Sequence, residues 1–170
     1  MSEHNTIPLQ RTLVLIKPDG VQRGLTGRIL QRFEDAGLKI VGMKMQWASK
    51  EFAMKHYTED IANRRGERVR KDLIDFITSG PVIALALEGI DAVDLVRKMI
   101  GSTEPKSAAP GTIRGDFAQH SYAFADQKSI AIRNLIHASG NAEDAKYEVP
   151  LWFTEDEMHS YKTVHEVHVF

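Results

Sequence analysis

The chain has 170 residues, 42% apolar and 26% charged, with 22 basic residues against 23 acidic ones and no cysteine. That is the make-up of one globular domain able to bury a core without staples. It excludes disulfides, thiolate nucleophiles and cysteine-bound zinc. A net charge of −1 argues against nucleic-acid or anionic-membrane partners, and no apolar run is long enough to cross a bilayer.

Residues 1–10 are polar and read as a flexible terminus without an apolar leader, which makes the cytoplasm the expected location. Arg11 to Lys17 reads as a short buried strand, closed by the turn residues Pro18-Asp19-Gly20. Thr26 to Ala36 carries Ile29, Leu30 and Phe33 at helical spacing, and Gly37 fits the residue that ends a helix. Leu38 to Trp47 alternates, which puts Val41, Met43, Met45 and Trp47 on one buried face of a strand.

Ser49 can cap a helix running to about Ala62, and a second helix is expected over Val69 to Thr78. Pro81 to Leu87 reads as another buried strand, and Asp91 as the cap of a helix through Met99. Gly101 to Gly115, rich in glycine and proline, reads as a long loop of the kind that often carries function. Ile130 to His137 is a fourth strand, with a helical reading of Lys128 to Arg133 left open. Asn141 to Val149 is helical, and Thr154 to Glu157 fits a capping box. Strands separated by helices imply an α/β sandwich, a sheet covered by helices.

Neither the P-loop nor the dinucleotide glycine fingerprint is present. A nucleotide site on this chain therefore needs side-chain cations. Lys17 stands where the first strand meets its turn, either as a solvated strand end or beside a ligand crevice. Arg97 reads most simply as a surface arginine. Arg114, between glycines, can offer a planar fork to phosphate or can pair with Asp116. His137 ends an apolar run, where a lone histidine is usually structural, but the small residues Ala138, Ser139 and Gly140 after it leave room for a bulky reactant. Glu148 lies far enough along the next helix to return to it. A carboxylate on one ring nitrogen would leave the other free to attack. His165 and His168, with His159, are a weak metal signal more simply read as a solvated tail.

Four blocks stand together in the chain: Arg11 to Leu25, Ser79 to Val82, Pro110 to Phe117 and Asn134 to Ser139, with Leu151-Trp152-Phe153 beyond them. In this order they resemble the nucleoside diphosphate kinase family across nearly the whole chain. The resemblance implies a ferredoxin-like α+β sandwich with a four-stranded antiparallel sheet. It implies transfer of the γ-phosphate of a nucleoside triphosphate, commonly ATP, to a nucleoside diphosphate through a phosphohistidine. Mg²⁺ would arrive with the nucleotide, and the family's assembly is a hexamer or, less often, a tetramer.

By the same resemblance His137 is the nucleophile, through Nδ1, and Glu148 bonds its other nitrogen. Lys17, Arg97, Thr103 and Arg114 hold phosphates, and Asn134 with Lys17 contacts the ribose. Tyr57 and Ser139 stand beside the histidine. Two segments depart from the family pattern. Residues 61–69 are longer and lack a phenylalanine that packs on the base; Val69 is the best substitute, and Arg64, Arg65 and Arg68 compete for the phosphates. Residues 118–133 form an insertion, read first as a surface excursion and alternatively as an extra helical excursion near the site. A non-catalytic nucleotide sensor or scaffold on the same fold is the alternative. Weak base preference is expected of a site built around phosphate and ribose.

Overall fold

The structure, a computed structural model, describes residues 9–169. Most of the stretch expected to be flexible therefore lies outside the described residues, but Gln10 already belongs to the first strand. Four strands form one antiparallel sheet: β1 (Gln10–Ile16), β2 (Lys39–Gln46), β3 (Val82–Gly89) and β4 (Ile136–Ala138), in the order β2-β3-β1-β4. This is the expected α+β sandwich, with helices on both faces.

Between β1 and β2 lie α1 (Pro18–Gln22) and α2 (Thr26–Asp35). Pro18 at the first position suits a helix start, so the expected turn is a single helical turn. Ile29 and Phe33 of α2 pack with Val14, Ile16 and Leu85 in one core. After Asp91, α6 (Ala92–Ile100) adds Val96 and Ile100 to it. The second core, on the other face of the sheet, joins Leu13 and Leu15 to α3 (Lys50–His56), α5 (Glu67–Ile77) and α9 (Ala142–Trp152). Alternate residues of β1 thus feed opposite cores.

The structure corrects several expectations. Val41 is buried, but Met43, Met45 and Trp47 are 57%, 62% and 66% exposed. A bulge between Ile40 and Gly42 shifts the register, and that one-residue slip turns Met43 and Met45 away from Val41's face. The helix expected from Ser49 does start there, Ser49 accepting from the Phe52 amide at 3.2 Å, but it stops at His56. Tyr57 has non-helical backbone, and the Arg70 guanidinium takes its carbonyl at 2.9 Å. Then α4 (Glu59–Arg65) starts anew, and Gly66, at φ 94°, links it to α5.

The expected loop after Gly101 is not all loop. A short 3-10 turn covers Pro105–Ser107, and α7 (Ile113–Phe117) begins inside it, with Thr112 accepting from the Gly115 amide. The insertion contains α8 (Tyr122–Lys128), capped by Ser121. The fourth strand is three residues, not eight. Backbone groups just before it are already spent: the Leu135 amide donates to Asp19 Oδ2, and the Leu135 carbonyl accepts from the Lys17 amide. Leu135 itself sits at φ 69°, which ends any strand. Farther on, α9 runs to Trp152 past Pro150, and Glu157 closes the Thr154 capping box. The tail is fixed in part: Glu166 in α10 (Val164–Val169) pairs with Lys39 at 2.7 Å.

Candidate active site

β1 and β4 bring the two ends of the chain's chemistry side by side, with His137 opposite Leu15. The Lys17 amide is anchored to Leu135, and its side chain is 4% exposed. Its Nζ donates to Asn134 Oδ1, and the Asn134 amide nitrogen donates to the Thr103 carbonyl at 2.7 Å. Burial lowers the Lys17 ammonium to about 8; Asp19 opposes this, while Arg114 and Arg133 add to it. The lysine is thus held at the floor of a cleft, not splayed into solvent.

His137 is oriented from behind. Its Nε2 lies 3.0 and 3.1 Å from the two Glu148 oxygens, and Ser139 Oγ donates to Oε2 at 2.6 Å. Burial pushes the Glu148 carboxyl up, but the His137 charge and hydrogen bond, His56 and Ser139 outweigh it and hold it at about 2. The carboxylate is therefore ionised, and Nδ1 is the ring nitrogen left without a hydrogen bond among the described residues. Ser139 is fully buried and also accepts from the Leu13 amide at 3.3 Å, so β1 fixes the whole relay.

Arg114 is 6% exposed and ties the cleft together. It donates to the carbonyls of Asn134 at 3.3 Å, Gly101 at 2.9 Å and Ile136 at 2.7 Å. Burial first, and then the Arg97 charge, lower its guanidinium to about 10, still cationic at neutral pH. The alternative partner, Asp116, is taken by Arg32 at 2.9 Å. The expected pairing of Arg114 with Asp116 is therefore not the one made.

Lys17, Tyr57, Arg97, Thr103, Arg114, Asn134, His137 and Glu148 all line one cleft of 510 Å³. Ser139 stands behind it. Arg64 and Arg65 reach the same cleft; Arg68 and Val69 do not, and line an adjoining pocket instead. Burial raises the Tyr57 phenol, with Glu148 and Asp19 adding to the shift, so it is a neutral hydroxyl.

One residue was missed by the sequence reading. His56 is buried edge-on against His137, ring centroids 4.7 Å apart, and Trp152 Nε1 donates to its Nδ1 at 3.3 Å. Burial, with His137 adding to it, lowers its imidazole to about 3, so it is a neutral wall beside the reactive ring. Its sequence neighbour Tyr57 was the available signal. The tail histidines form no metal group; among the described residues, the three metal-type groups that meet are His56, His137 and Glu148, within 4.8 Å. Two imidazoles and one carboxylate already bonded to Ser139 do not suit Mg²⁺, which demands oxygen ligands.

An imidazole aimed by an ionised carboxylate, with buried lysine and arginine beside it and no glycine-rich loop, defines a phosphotransferase that works through histidine. Comparison with known proteins gives the same class a family. The nucleoside diphosphate kinase family model matches residues 10–158, and the chain belongs to that family. The nucleoside diphosphate kinase of Borreliella burgdorferi is 48% identical over 155 residues, 91% of this chain and 93% of that one. A solved structure of the Borrelia burgdorferi enzyme, a transition-state mimic with bound vanadate and ADP, matches with TM-score 0.92 at 47% identity, covering 94% and 96% of the two chains. The Halobacterium salinarum enzyme in complex with CDP matches with TM-score 0.81 at 39% identity, covering 95% of this chain and 98% of that one.

Proposed function

We propose that His137 Nδ1 takes the γ-phosphoryl group of a nucleoside triphosphate, commonly ATP, and passes it to a nucleoside diphosphate. The observation that carries this reading is the Glu148 carboxylate bonded to Nε2, which leaves Nδ1 as the nucleophile in a cleft lined by cations. In the first half-reaction the Nδ1 lone pair forms the N–P bond as the bond to the β-phosphate oxygen breaks, and the diphosphate leaves. In the second, a diphosphate oxygen attacks the phosphohistidine and restores the imidazole. One nucleotide is bound at a time, so the mechanism is ping-pong.

Phosphoryl transfer asks a protein for position and charge. Lys17, Arg97 and Arg114 offset the charge spreading over the transferred group, and Thr103 joins them on the phosphates. Asn134, already bridging Lys17 and Thr103, meets the ribose together with Lys17. Tyr57 and His56 wall the imidazole, and Ser139 holds Glu148. Arg64 and Arg65 line the cleft and Arg68 does not, which supports the first two as the arginines that meet phosphate. Mg²⁺ bound with the nucleotide would supply further charge neutralisation at the phosphates, beside that of Lys17, Arg97 and Arg114.

The relatives with ADP, vanadate and CDP in their sites support nucleotides as the substrates here. The catalytic cluster that is present supports the kinase over a sensor or scaffold. Among the described residues no helix is long and apolar enough to cross a membrane, which accords with work in the cytoplasm. The exposed Met43 and Met45 on edge strand β2, with Trp47 just beyond it, support an oligomer, and the family resemblance favours a hexamer over a tetramer.

Replacing Glu148 by Gln tests the orienting step. The amide keeps the shape but loses the charge that favours imidazolium, so phosphorylation should slow by roughly 10²-fold without vanishing. Equal single-turnover rates for the wild type and Glu148→Gln remove the carboxylate from the mechanism.

A further inference from the structure

Arg133, next to Asn134 and just ahead of β4, is a cation near the cleft that the mechanism leaves unused. Its guanidinium lies 3.7 Å from the centroid of the Phe76 ring on α5, and Lys17 Nζ lies 5.2 Å from the same centroid. Phe76 is buried, so one core ring seats two cations. Arg133 Nη1 is buried with no hydrogen-bond partner among the described residues, and so is Asp19 Oδ1. Burial lowers the Arg133 guanidinium, and the Asp19 charge opposes that. A spare donor and a spare acceptor of opposite charge thus face the same small region. Each is costly to bury unless the other compensates it.

Lys17 feels the same carboxylate, which opposes the lowering of its ammonium by burial. An ion pair with Asp19, its near neighbour in the chain, would turn the ammonium away from the nucleotide. Lys17 Nζ instead donates to Asn134, while Asp19 Oδ2 accepts from the Leu135 amide. The other charged and titratable groups acting here are Arg114 on α7 and His120 in the insertion. Arg114 spends its guanidinium on three carbonyls. Burial, and then Arg133, lower the His120 imidazole. Arg133 is the cation left to balance Asp19.

We propose that Arg133 is a positioning residue: seated on Phe76, it acts as the counter-ion of Asp19 and so leaves Lys17 to the phosphates. The proposal rests on the phosphotransfer reading, in which Lys17 meets the nucleotide.

The test compares wild type, Arg133→Gln, Arg133→Lys, Asp19→Asn and the double variant Arg133→Gln with Asp19→Asn. It follows discharge of phosphoenzyme by ADP, as kcat/KM, over a range of about pH 6 to 10. In Arg133→Gln the lysine turns to Asp19, so kcat/KM should fall roughly tenfold, mainly through KM. Its upper pH limb should move above 8, because a charge that lowers the Lys17 ammonium is gone. Asp19→Asn should move the limb below 8, since the opposing charge is gone, and its amide oxygen can still accept from Leu135. Adding Asp19→Asn to Arg133→Gln should bring kcat/KM back to within about threefold of wild type, because no carboxylate remains to draw the lysine off. Arg133→Lys keeps the charge and should also stay within about threefold, which keeps the test open if Arg133→Gln does not fold. A double variant no better than Arg133→Gln, an Arg133→Lys as impaired as Arg133→Gln, or a limb unmoved in Asp19→Asn overturns the proposal and leaves the kinase reading standing. A wild-type phosphoenzyme that ADP does not discharge overturns both.

Discussion

The two ends of the cleft are built on different principles. At the His137 end, polar groups are tied to backbone: Arg114 holds three carbonyls, Asn134 a fourth, and Ser139 bridges β1 to Glu148. At the far end, charges pair locally on helix surfaces, Arg64 with Asp60 at 2.5 Å and Arg68 with Asp72 at 3.7 Å, both arginines well exposed. Buried, over-determined groups can hold an attacking geometry to a fraction of an ångström. Exposed pairs contribute little to stability and can be exchanged without cost to the fold. Chemistry is thus fixed where the core is, and recognition is left where the surface can vary.

The contrast predicts a steep gradient of mutational effects along the cleft. His137→Ala should lower turnover at least ~10⁴-fold in both directions, since no other side chain offers an aimed nucleophile. Its fold should survive, because the ring is only half-buried and Glu148 keeps Ser139. Circular dichroism and coupled assays in each direction check both statements. Retained exchange would mean another nucleophile.

Arg114→Lys should cost roughly 10²- to 10³-fold in kcat, and ~2–4 kcal/mol of stability besides. A lysine cannot satisfy three carbonyls in a plane, so the same change strikes the framework and the charge. Urea titration and kinetics would show both losses; a loss of activity alone would reduce the arginine to a simple cation.

Lys17 gives a pH test with two opposite signs. Its folded value, about 8, lies below the usual 10.5. Between these pH values the unfolded chain keeps a proton that the folded chain has released, so stability rises with pH across this window. The full burial penalty, on the order of 3 kcal/mol, applies below pH 8. Activity moves the other way: the free enzyme loses its floor cation, and kcat/KM should fall about tenfold per pH unit above 8. A kcat/KM flat to pH 10 would take the lysine's charge out of nucleotide capture.

The smallest effects belong to the far end. Arg65→Ala, at the junction of the two pockets, should raise KM by about threefold, while Arg68→Ala should change it by less than about twofold. Comparable effects would erase the boundary between the two ends.

The same boundary governs how far the sequence could be read. The His137 end was legible because its residues come in contiguous blocks that carry the family resemblance, and the structure brings together a histidine, a carboxylate eleven residues on and a lysine at a strand end. The sheet and helices followed from periodicity where strands were fully buried, as in β1 and β3. Periodicity failed at β2, because a bulge leaves no trace in an alternating pattern. It failed at β4, because Asp19, Lys17 and Arg114 claim backbone groups from far along the chain. The single helix expected after Ser49 breaks at Tyr57 for the same reason, a tertiary hydrogen bond from Arg70. His56 was passed over because burial against His137 depends on α3 meeting β4, not on spacing. The pocket under α8 arises only when the insertion docks on α5.

The most direct test of the central claim is single-turnover labelling with γ-labelled ATP and Mg²⁺, on wild type and His137→Ala, chased with unlabelled GDP. An acid-labile, alkali-stable label on the wild type alone, discharged as labelled GTP, is the predicted result. A label retained by His137→Ala, or wild type that binds ATP and takes no label, would contradict a phosphohistidine relay at this residue.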